Sequence, residues 1–377
     1  MNNIRRRILV TGAKGFIGKN LVFRLRELSD TSVVEFVRGD EALSLPHLIA
    51  QVDAVIHLAG ENRPVDLGAF EEVNRGLTAV LCNAIQHEYR THRRHVPLVF
   101  ASSAQAEVDN PYGRSKLGAE EEVINLAQSI DNPCAIFRLP GVFGKWCKPN
   151  YNSVVATFCN NISSNLPIKI DNPSACLRLV YVDDVVTAFL SVLDTPLSGC
   201  IKCSVAPEYS VRVGELADQI MAFNESRATL ITQRVGSGFV RALYSTYVSY
   251  LPKESFCYDL PHYVDRRGVF VEMLKTLDSG QFSCFTAHPG ITRGGHYHHS
   301  KTEKFLVIRG EARFRFRHLL TEEFWEVRTC GTKPQVVDTI PGWSHDITNV
   351  GDDEMVVILW ANEIFDRLKS DTIASRV

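Results

Sequence analysis

Along residues 4 to about 200, short apolar runs alternate with stretches of helical pattern. Ile8 to Val10, Val33 to Val37, Ala54 to Leu58, Leu98 to Phe100 and Ala135 to Leu139 predict strands, with helices between them, for instance Lys19 to Leu28 and Tyr112 to Ala127. Such alternation implies βαβ units and a parallel sheet. From about residue 255 the texture changes to short, closely spaced strand candidates: Gln281 to Ala287, Lys304 to Ile308, Ala312 to Arg317, Gln335 to Ile340 and Met355 to Trp360. This half predicts an antiparallel barrel or jelly roll. A chain of 377 residues also exceeds the size at which one core stops growing. The join is expected at Tyr250-Leu251-Pro252-Lys253, giving domains 1–252 and 253–377.

Thr11-Gly12-Ala13-Lys14-Gly15-Phe16-Ile17-Gly18 follows the first strand and opens the first helix. Glycine there permits a tight turn and close approach of backbone to a pyrophosphate, whose charge is favoured at a helix N-terminus. Gly12, Gly15, Phe16, Ile17 and Gly18 are therefore the expected dinucleotide contacts. Where a carboxylate would hold the ribose hydroxyls of NAD, at the end of the second strand, Arg38 stands instead. A guanidinium can pair with a 2'-phosphate, so NADP(H) is the expected cofactor, unless the strand ends elsewhere and Glu35 or Asp40 takes the position.

Composition narrows the class. The net charge of -2, with basic residues scattered, leaves no footprint for nucleic acid. No run approaches the roughly 20 apolar residues of a membrane span. Arg5-Arg6-Arg7 precede only Ile8-Leu9-Val10, a basic lead-in to a strand rather than a signal peptide. Ten dispersed cysteines predict reduced thiols and a cytoplasmic location. The lone Cys200-Ile201-Lys202-Cys203 predicts a strand with its cysteines on alternate faces, not a metal or redox pair.

Ser102-Ser103 follows an apolar strand, and Tyr112 and Lys116 stand at i and i+4 on one helix face. With the glycine loop, His57-Leu58-Ala59-Gly60, Asn74, Arg138-Leu139-Pro140-Gly141-Val142-Phe143-Gly144 and Tyr181-Val182-Asp183-Asp184-Val185, the sequence resembles the extended short-chain dehydrogenase/reductase superfamily over residues 4 to 250. The resemblance implies a Rossmann-like doubly wound sheet, with Leu58, Ala59 and Lys116 among the cofactor contacts. It implies that Ser103 bonds the substrate carbonyl, that Tyr112 gives the proton as hydride arrives, and that Lys116 lowers the tyrosine pKa. A phenol near pKa 10 is otherwise a poor acid-base catalyst at neutral pH. Nine positions separate Ser103 from Tyr112, fewer than in most sugar-modifying relatives, so a different substrate-facing wall is expected. Ser103-Ala104-Gln105 lacks the threonine and acidic residues of the dehydratases, and an NADP preference speaks against a 4-epimerase; net reduction is expected.

In the second half, Gly290, His296-Tyr297-His298, Glu303 and Gly310, then Pro341-Gly342-Trp343-Ser344-His345 and Asn349, match both cupin motifs, the second one residue short. Alternation puts His296 and His298 on one strand face, with Glu303 and His345 arriving from neighbouring strands, an N3O set for a divalent metal, zinc the expected ion. A bulge would exchange His298 with His299. Asp265-Arg266-Arg267-Gly268-Val269-Phe270 with Glu272 resembles the corresponding stretch of the cupin sugar epimerases.

The whole chain thus resembles the bifunctional capsular-polysaccharide and O-antigen UDP-sugar enzymes, a reductase domain fused to an all-β cupin. The resemblance implies a homodimer acting on a UDP-linked 4-keto-6-deoxy-N-acetylhexosamine: epimerisation at C3, then NADPH-dependent reduction of the C4 ketone to UDP-N-acetyl-6-deoxy-L-talose, a precursor of UDP-N-acetyl-L-fucosamine. The chemistry is ordered, because the ketone acidifies C3–H and its reduction locks the new configuration. Two other classes stand beside this: a reductase whose cupin only binds or dimerises, and a nucleotide-sensing regulator on a dead dehydrogenase, against which the intact Ser103, Tyr112 and Lys116 weigh.

Overall fold

The computed structural model describes residues 6–377 except 65, 197 and 367. Arg5 lies outside the described residues; Arg6 and Arg7 open the first strand. Contacts divide the chain into two compact units: Met1–Ile220 with Ala242–Leu251, and Met221–Arg241 with Pro252–Val377. The partition differs from a single cut at 252/253 by taking 221–241, and Pro252, into the second unit.

The first unit carries strands β1 (Arg6–Thr11), β2 (Thr31–Phe36), β3 (Ala54–His57), β4 (Leu98–Ser103), β5 (Cys134–Leu139), β6 (Gly141–Phe143), β7 (Cys176–Tyr181), β8 (Cys200–Cys203) and β9 (Tyr209–Arg212). Its helices are α1 (Phe16–Arg26), α2 (Leu45–Ile49), α3 (Leu77–His92), α4 (Pro111–Ile130), α5 (Val154–Ser163) and α6 (Val182–Leu193), while α7 (Val213–Thr229) and α8 (Gly238–Val248) each cross between the units. A parallel sheet runs in the order β2-β1-β3-β4-β5-β8.

Successive residues of the central strands face opposite ways, which splits the core in two. Leu9, Val55, Leu98 and Ile136 pack with Leu81, Ile85 and Val123 of α3 and α4. Ile8, Val10, Ile56, Val99 and Phe137 pack with Leu21 and Leu25 of α1 and Phe189 of α6. This is the parallel sheet expected from the alternation, in the doubly wound form that the family resemblance implies. The order reverses at β1, where the chain leaves to one side and returns on the other, and ligands of such sheets bind beyond the strand carboxyl ends at that point. Cys200 and Cys203 pack against opposite clusters, as an ordinary strand requires. The ten cysteines are free thiols.

In the second unit the strands are β10 (His262–Asp265), β11 (Gly268–Thr276), β12 (Gly280–Ala287), β13 (Thr292–Tyr297), β14 (Glu303–Arg309), β15 (Glu311–His318), β16 (Phe324–Cys330), β17 (Val336–Asp338), β18 (Trp343–Asn349), β19 (Met355–Ala361) and β20 (Ile373–Ala374). They form two sheets of antiparallel neighbours, β10-β11-β12-β19-β14-β17 and β16-β15-β18-β13-β20. Between them lie Phe285, Phe305, Val307, Phe314, Ile347 and Val357, the closed core of a cupin-like β domain. Residues 230–232 lie along β11: Lys275 N–H donates to the Leu230 carbonyl and Thr232 N–H to the Lys275 carbonyl, each at 2.8 Å. No helix among the described residues is long and apolar enough to cross a membrane.

Candidate functional site

At the carboxyl end of β1, Gly12 adopts φ +69°, and a Cβ there would stand 2.8 Å from the Ala59 nitrogen. A Cβ on Gly18 would meet the Gly12 carbonyl at 2.2 Å. Both close approaches need glycine, and together they draw the loop tight over the start of α1. No side chain caps that helix, so the first-turn N–H groups of Phe16 and Ile17 have no side-chain acceptor. Leu58 and Ala59 complete the rim, their N–H groups each donating to the Thr11 hydroxyl at 3.2 Å.

Arg38 follows β2 with its side chain 84% exposed, and it pairs with Glu61 at 2.5 Å. Glu35 is paired with Arg26, and the Asp40 carboxylate accepts from Val37 N–H at 2.7 Å. All three carboxylates near this edge are therefore engaged, Glu61 by Arg38 itself.

Beneath the rim lies a buried chain of hydrogen bonds. Thr78 donates to the Asn74 carbonyl at 2.6 Å, which leaves its oxygen to accept from His57 Nε2–H at 2.9 Å. His57 Nδ1 must then accept from the Thr11 hydroxyl, 2.6 Å away. Burial, with the Lys116 charge nearby, pushes His57 down to about 3, so it stays neutral. Asn74 sits in a π-helical segment, Phe70–Gly76, and its amide donates to Ser115 Oγ, which donates to the Tyr112 carbonyl.

Ser103, Tyr112 and Lys116 converge. Ser103 ends β4, and its hydroxyl, which accepts from Gln105 N–H at 3.1 Å, lies close enough to the Tyr112 phenol to act on its charge. Asn110 caps α4 by accepting from Gly113 N–H, with Pro111 in the first turn, which starts the helix one residue before Tyr112. The short connection presses on the helix: a Cβ on Gly113 would lie 2.1 Å from the Val108 carbonyl. Lys116 is buried, donates to the Ala101 carbonyl at 2.8 Å and lies 4.6 Å from the centre of the Phe100 ring. Burial lowers its ammonium to about 8, partly offset by Glu120. Burial pushes the Tyr112 phenol up and the nearby Ser103 hydroxyl pulls it back, which departs from the expectation that Lys116 lowers it. The ammonium is spent on a backbone carbonyl instead.

In the second unit His296, His298, Glu303 and His345 each offer a ligand atom within 4.8 Å of the others. The way they meet differs from a regular strand. Gly294 and Gly295, at φ +91° and +76°, make a bulge before His296, and β13 ends at Tyr297, so His298 lies just past it. His299 stays outside, with its N–H donating to Asp371. His345 comes from the adjoining β18, in register with His296, whereas Glu303 comes from β14 of the facing sheet.

Burial, with His345 close by, lowers His296 to about 4, so its ring is neutral. Burial alone would raise the Glu303 carboxyl, yet His298, His345 and Lys301 hold it well below the usual carboxylate range. His298 Nδ1 meets the Asp371 carbonyl, an acceptor only, so that nitrogen carries the proton. With the proton on Nδ1, its Nε2 lone pair faces Glu303 Oε2 at 3.3 Å, an arrangement that suits a cation. His345 Nε2 is buried without a hydrogen-bond partner, 3.5 Å from the same oxygen. A buried N3O set with an orphaned imidazole nitrogen fits a divalent metal. A cavity of about 160 Å³ adjoins it, lined also by Arg267, which chelates Asp265, and by Arg293. Glu272, from the same sequence stretch, is paired with Lys275 at 2.8 Å.

Residues 8–201 match the model of the NAD dependent epimerase/dehydratase family, and residues 263–373 that of a polysaccharide biosynthesis C-terminal domain. The crystal structure of the capsular polysaccharide assembling protein CapF from Staphylococcus aureus is similar over 98% of this chain and all of its own, at 39% identity and a TM-score of 0.88. This chain is a CapF-like member of the NAD dependent epimerase/dehydratase family. The CapF-like chain is 57% identical over 371 residues to UDP-2-acetamido-2,6-beta-L-arabino-hexul-4-ose reductase of Pseudomonas aeruginosa, covering 98% of itself and 99% of that relative. UDP-glucuronic acid 4-epimerase from Bacillus cereus, at 17% identity and a TM-score of 0.55, is alike over 65% of the CapF-like chain and 96% of its own, which shows the fold alone. Family membership implies a nicotinamide dinucleotide, NAD(H) or NADP(H), as cofactor.

Three residues of these sites escaped sequence reasoning. Lys301, 2.9 Å from Glu303, stands two positions before it, a spacing that places both on one side of an extended segment. Glu61 and Asp371 carry no comparable signal, since their partners lie 23 and 70 to 73 residues away.

Proposed function

We propose that the CapF-like chain reduces the C4 ketone of a UDP-linked 4-keto-6-deoxy-N-acetylhexosamine, after epimerising C3, and yields UDP-N-acetyl-6-deoxy-L-talose. The reading is supported by Ser103 at the end of β4, Tyr112 and Lys116 in the first turns of α4 with Lys116 tied back to Ala101 of β4, and 57% identity to a hexul-4-ose reductase. NADPH supplies the hydride when bound. Ser103 holds the ketone oxygen, Tyr112 gives that oxygen its phenolic proton, and Lys116, anchored on the Ala101 carbonyl, would hold the nicotinamide ribose. NADP(H) is preferred over NAD(H) on the strength of the exposed Arg38 and the engagement of Glu35 and Asp40.

The C3 step belongs in this reading to the cupin-like residues 253–377. His296, His298, Glu303 and His345 would hold a divalent cation, zinc by the match to their N3O chemistry. That cation would stabilise negative charge on the C4 oxygen as the C3 proton leaves. A cytoplasmic homodimer is part of the same reading, with ten free thiols suiting a reducing compartment.

The test is incubation with the UDP-4-keto-6-deoxy-N-acetylhexosamine in deuterated water without NADPH, followed by NMR. Deuterium at C3, lost in His296→Ala, is expected; no exchange while NADPH is still oxidised would leave a reductase whose cupin only binds or dimerises.

A further inference from the structure

The C-terminal residues Asp371 to Ser375 are remote in sequence from the cupin ligands yet tie all three ligand histidines. β20 pairs directly with β13, matching Ala374 to His296 and Ile373 to Tyr297. Ser375 N–H donates to the Gly295 carbonyl and its own carbonyl accepts from the Ser344 hydroxyl, both at 2.9 Å, next to His296 and His345 respectively. The Asp371 carbonyl accepts the proton of His298 Nδ1. The Asp371 carboxylate accepts N–H from His299, Ser300 and Lys301 at 2.9, 2.7 and 2.9 Å, and the Ser300 hydroxyl at 3.0 Å.

Each contact bears on metal binding. An imidazole binds a cation through an unprotonated nitrogen, and the other nitrogen's hydrogen bond decides which one that is. The Asp371 carbonyl keeps the proton on Nδ1 and turns Nε2 toward Glu303. The carboxylate pins the turn from 299 to 301, which separates His298 from Glu303, and the β20 pairing steadies the strand end weakened by the Gly294-Gly295 bulge. Without these ties, ordering of rings and turn would be taken from the binding energy of the ion.

We propose that Asp371–Ser375 is a clasp that presets the three-histidine face and so sets the affinity of the centre for a divalent cation, with Asp371 its positioning residue. The proposal rests on the metal reading given under Proposed function. The decisive measurement is zinc affinity by competition with a chromophoric chelator, for the full chain, for Asp371→Ala, for Asp371→Asn and for a chain ending at Ser370. Outer contacts of this kind are worth roughly 10- to 100-fold in metal affinity. Asp371→Ala is expected to weaken zinc by about that range, Asp371→Asn by less because one acceptor oxygen remains, and the shortened chain by more because the acceptor of His298 goes too. The visible spectrum of bound cobalt(II) should change in Asp371→Ala, which mere loss of stability would not bring about. Unaltered zinc affinity and cobalt spectrum in Asp371→Ala, or in Asp371→Asn if the alanine variant does not fold, would overturn the clasp. A wild-type chain that binds no zinc would overturn the metal reading, and the clasp with it.

Discussion

Replacing Lys116 with methionine should abolish reduction yet make the first unit more stable near pH 7. Its ammonium titrates at about 8 in the fold against 10.5 in the open chain, because burial strips its hydration. At 1.36 kcal/mol per unit, holding it charged costs the folded state about 3 kcal/mol. Methionine removes that cost but leaves the Ala101 carbonyl without its donor and gives up the contact with Phe100, together about 1–2 kcal/mol. Below pH 8 both folded and unfolded wild-type chains carry the proton, the full penalty applies, and the variant should be the more stable by about 1–2 kcal/mol. As pH rises from 8 to 10.5 the folded lysine gives up its proton before the unfolded one does, so the wild type gains on the variant by about 3 kcal/mol and overtakes it. Urea unfolding of both proteins at a series of pH values, followed by helical circular dichroism, measures this, because the helices lie mostly in the first unit. Parallel stability curves across that window would refute the reasoning, whatever the activity does.

Arg38→Glu should turn the cofactor preference, lowering kcat/KM for NADPH by roughly 10- to 100-fold while that for NADH is kept or raised, since a like charge then meets the 2'-phosphate. Gly113→Ala should cost about 1–3 kcal/mol and displace Tyr112, because its Cβ would overlap the Val108 and Gln105 carbonyls at 2.1 and 2.4 Å; urea midpoints and NADPH oxidation together check it. Glu303→Gln should lose zinc in equilibrium dialysis, and the second unit should be weaker by about 3–5 kcal/mol because the buried Lys301 ammonium loses its carboxylate.

The architecture was legible because both halves obey simple periodicities. Apolar runs such as Ala54 to Leu58 and Ala135 to Leu139 fall within one residue of the bounds of β3 and β5, since a strand packed on both faces has little room for polar residues. The glycine loop and the Tyr112–Lys116 spacing are local patterns, and the structure brings those residues to one end of one sheet. β13 and β18 were harder to see because β13 carries two glycines and a histidine, and in β18 His345 interrupts the inward apolar positions Trp343 and Ile347, so neither shows a clean alternating apolar signal. The choice of His298 over His299 turned on a bulge placed before His296, set by two glycines at positive φ. The direction of the Tyr112 shift followed from how deeply the folded chain buries its phenol, and the hold of Asp371 on the turn at 299–301 spans some seventy residues. Neither is written in a spacing.

The path of the chain also bears on how it can be made. Residues 230–232 lie along β11 beside Lys275, so this stretch leaves the ribosome well ahead of the strand that pairs with it. At about 5–20 residues per second the wait is several seconds, while residues 242–251 are called back to the first unit. During that interval Leu230 and its neighbours form an unpaired edge, open to chaperones or to another nascent chain. A gene shortened to residue 252 would make the exposure permanent, and the reductase half expressed alone should aggregate more readily than one from which 221–241 has been looped out.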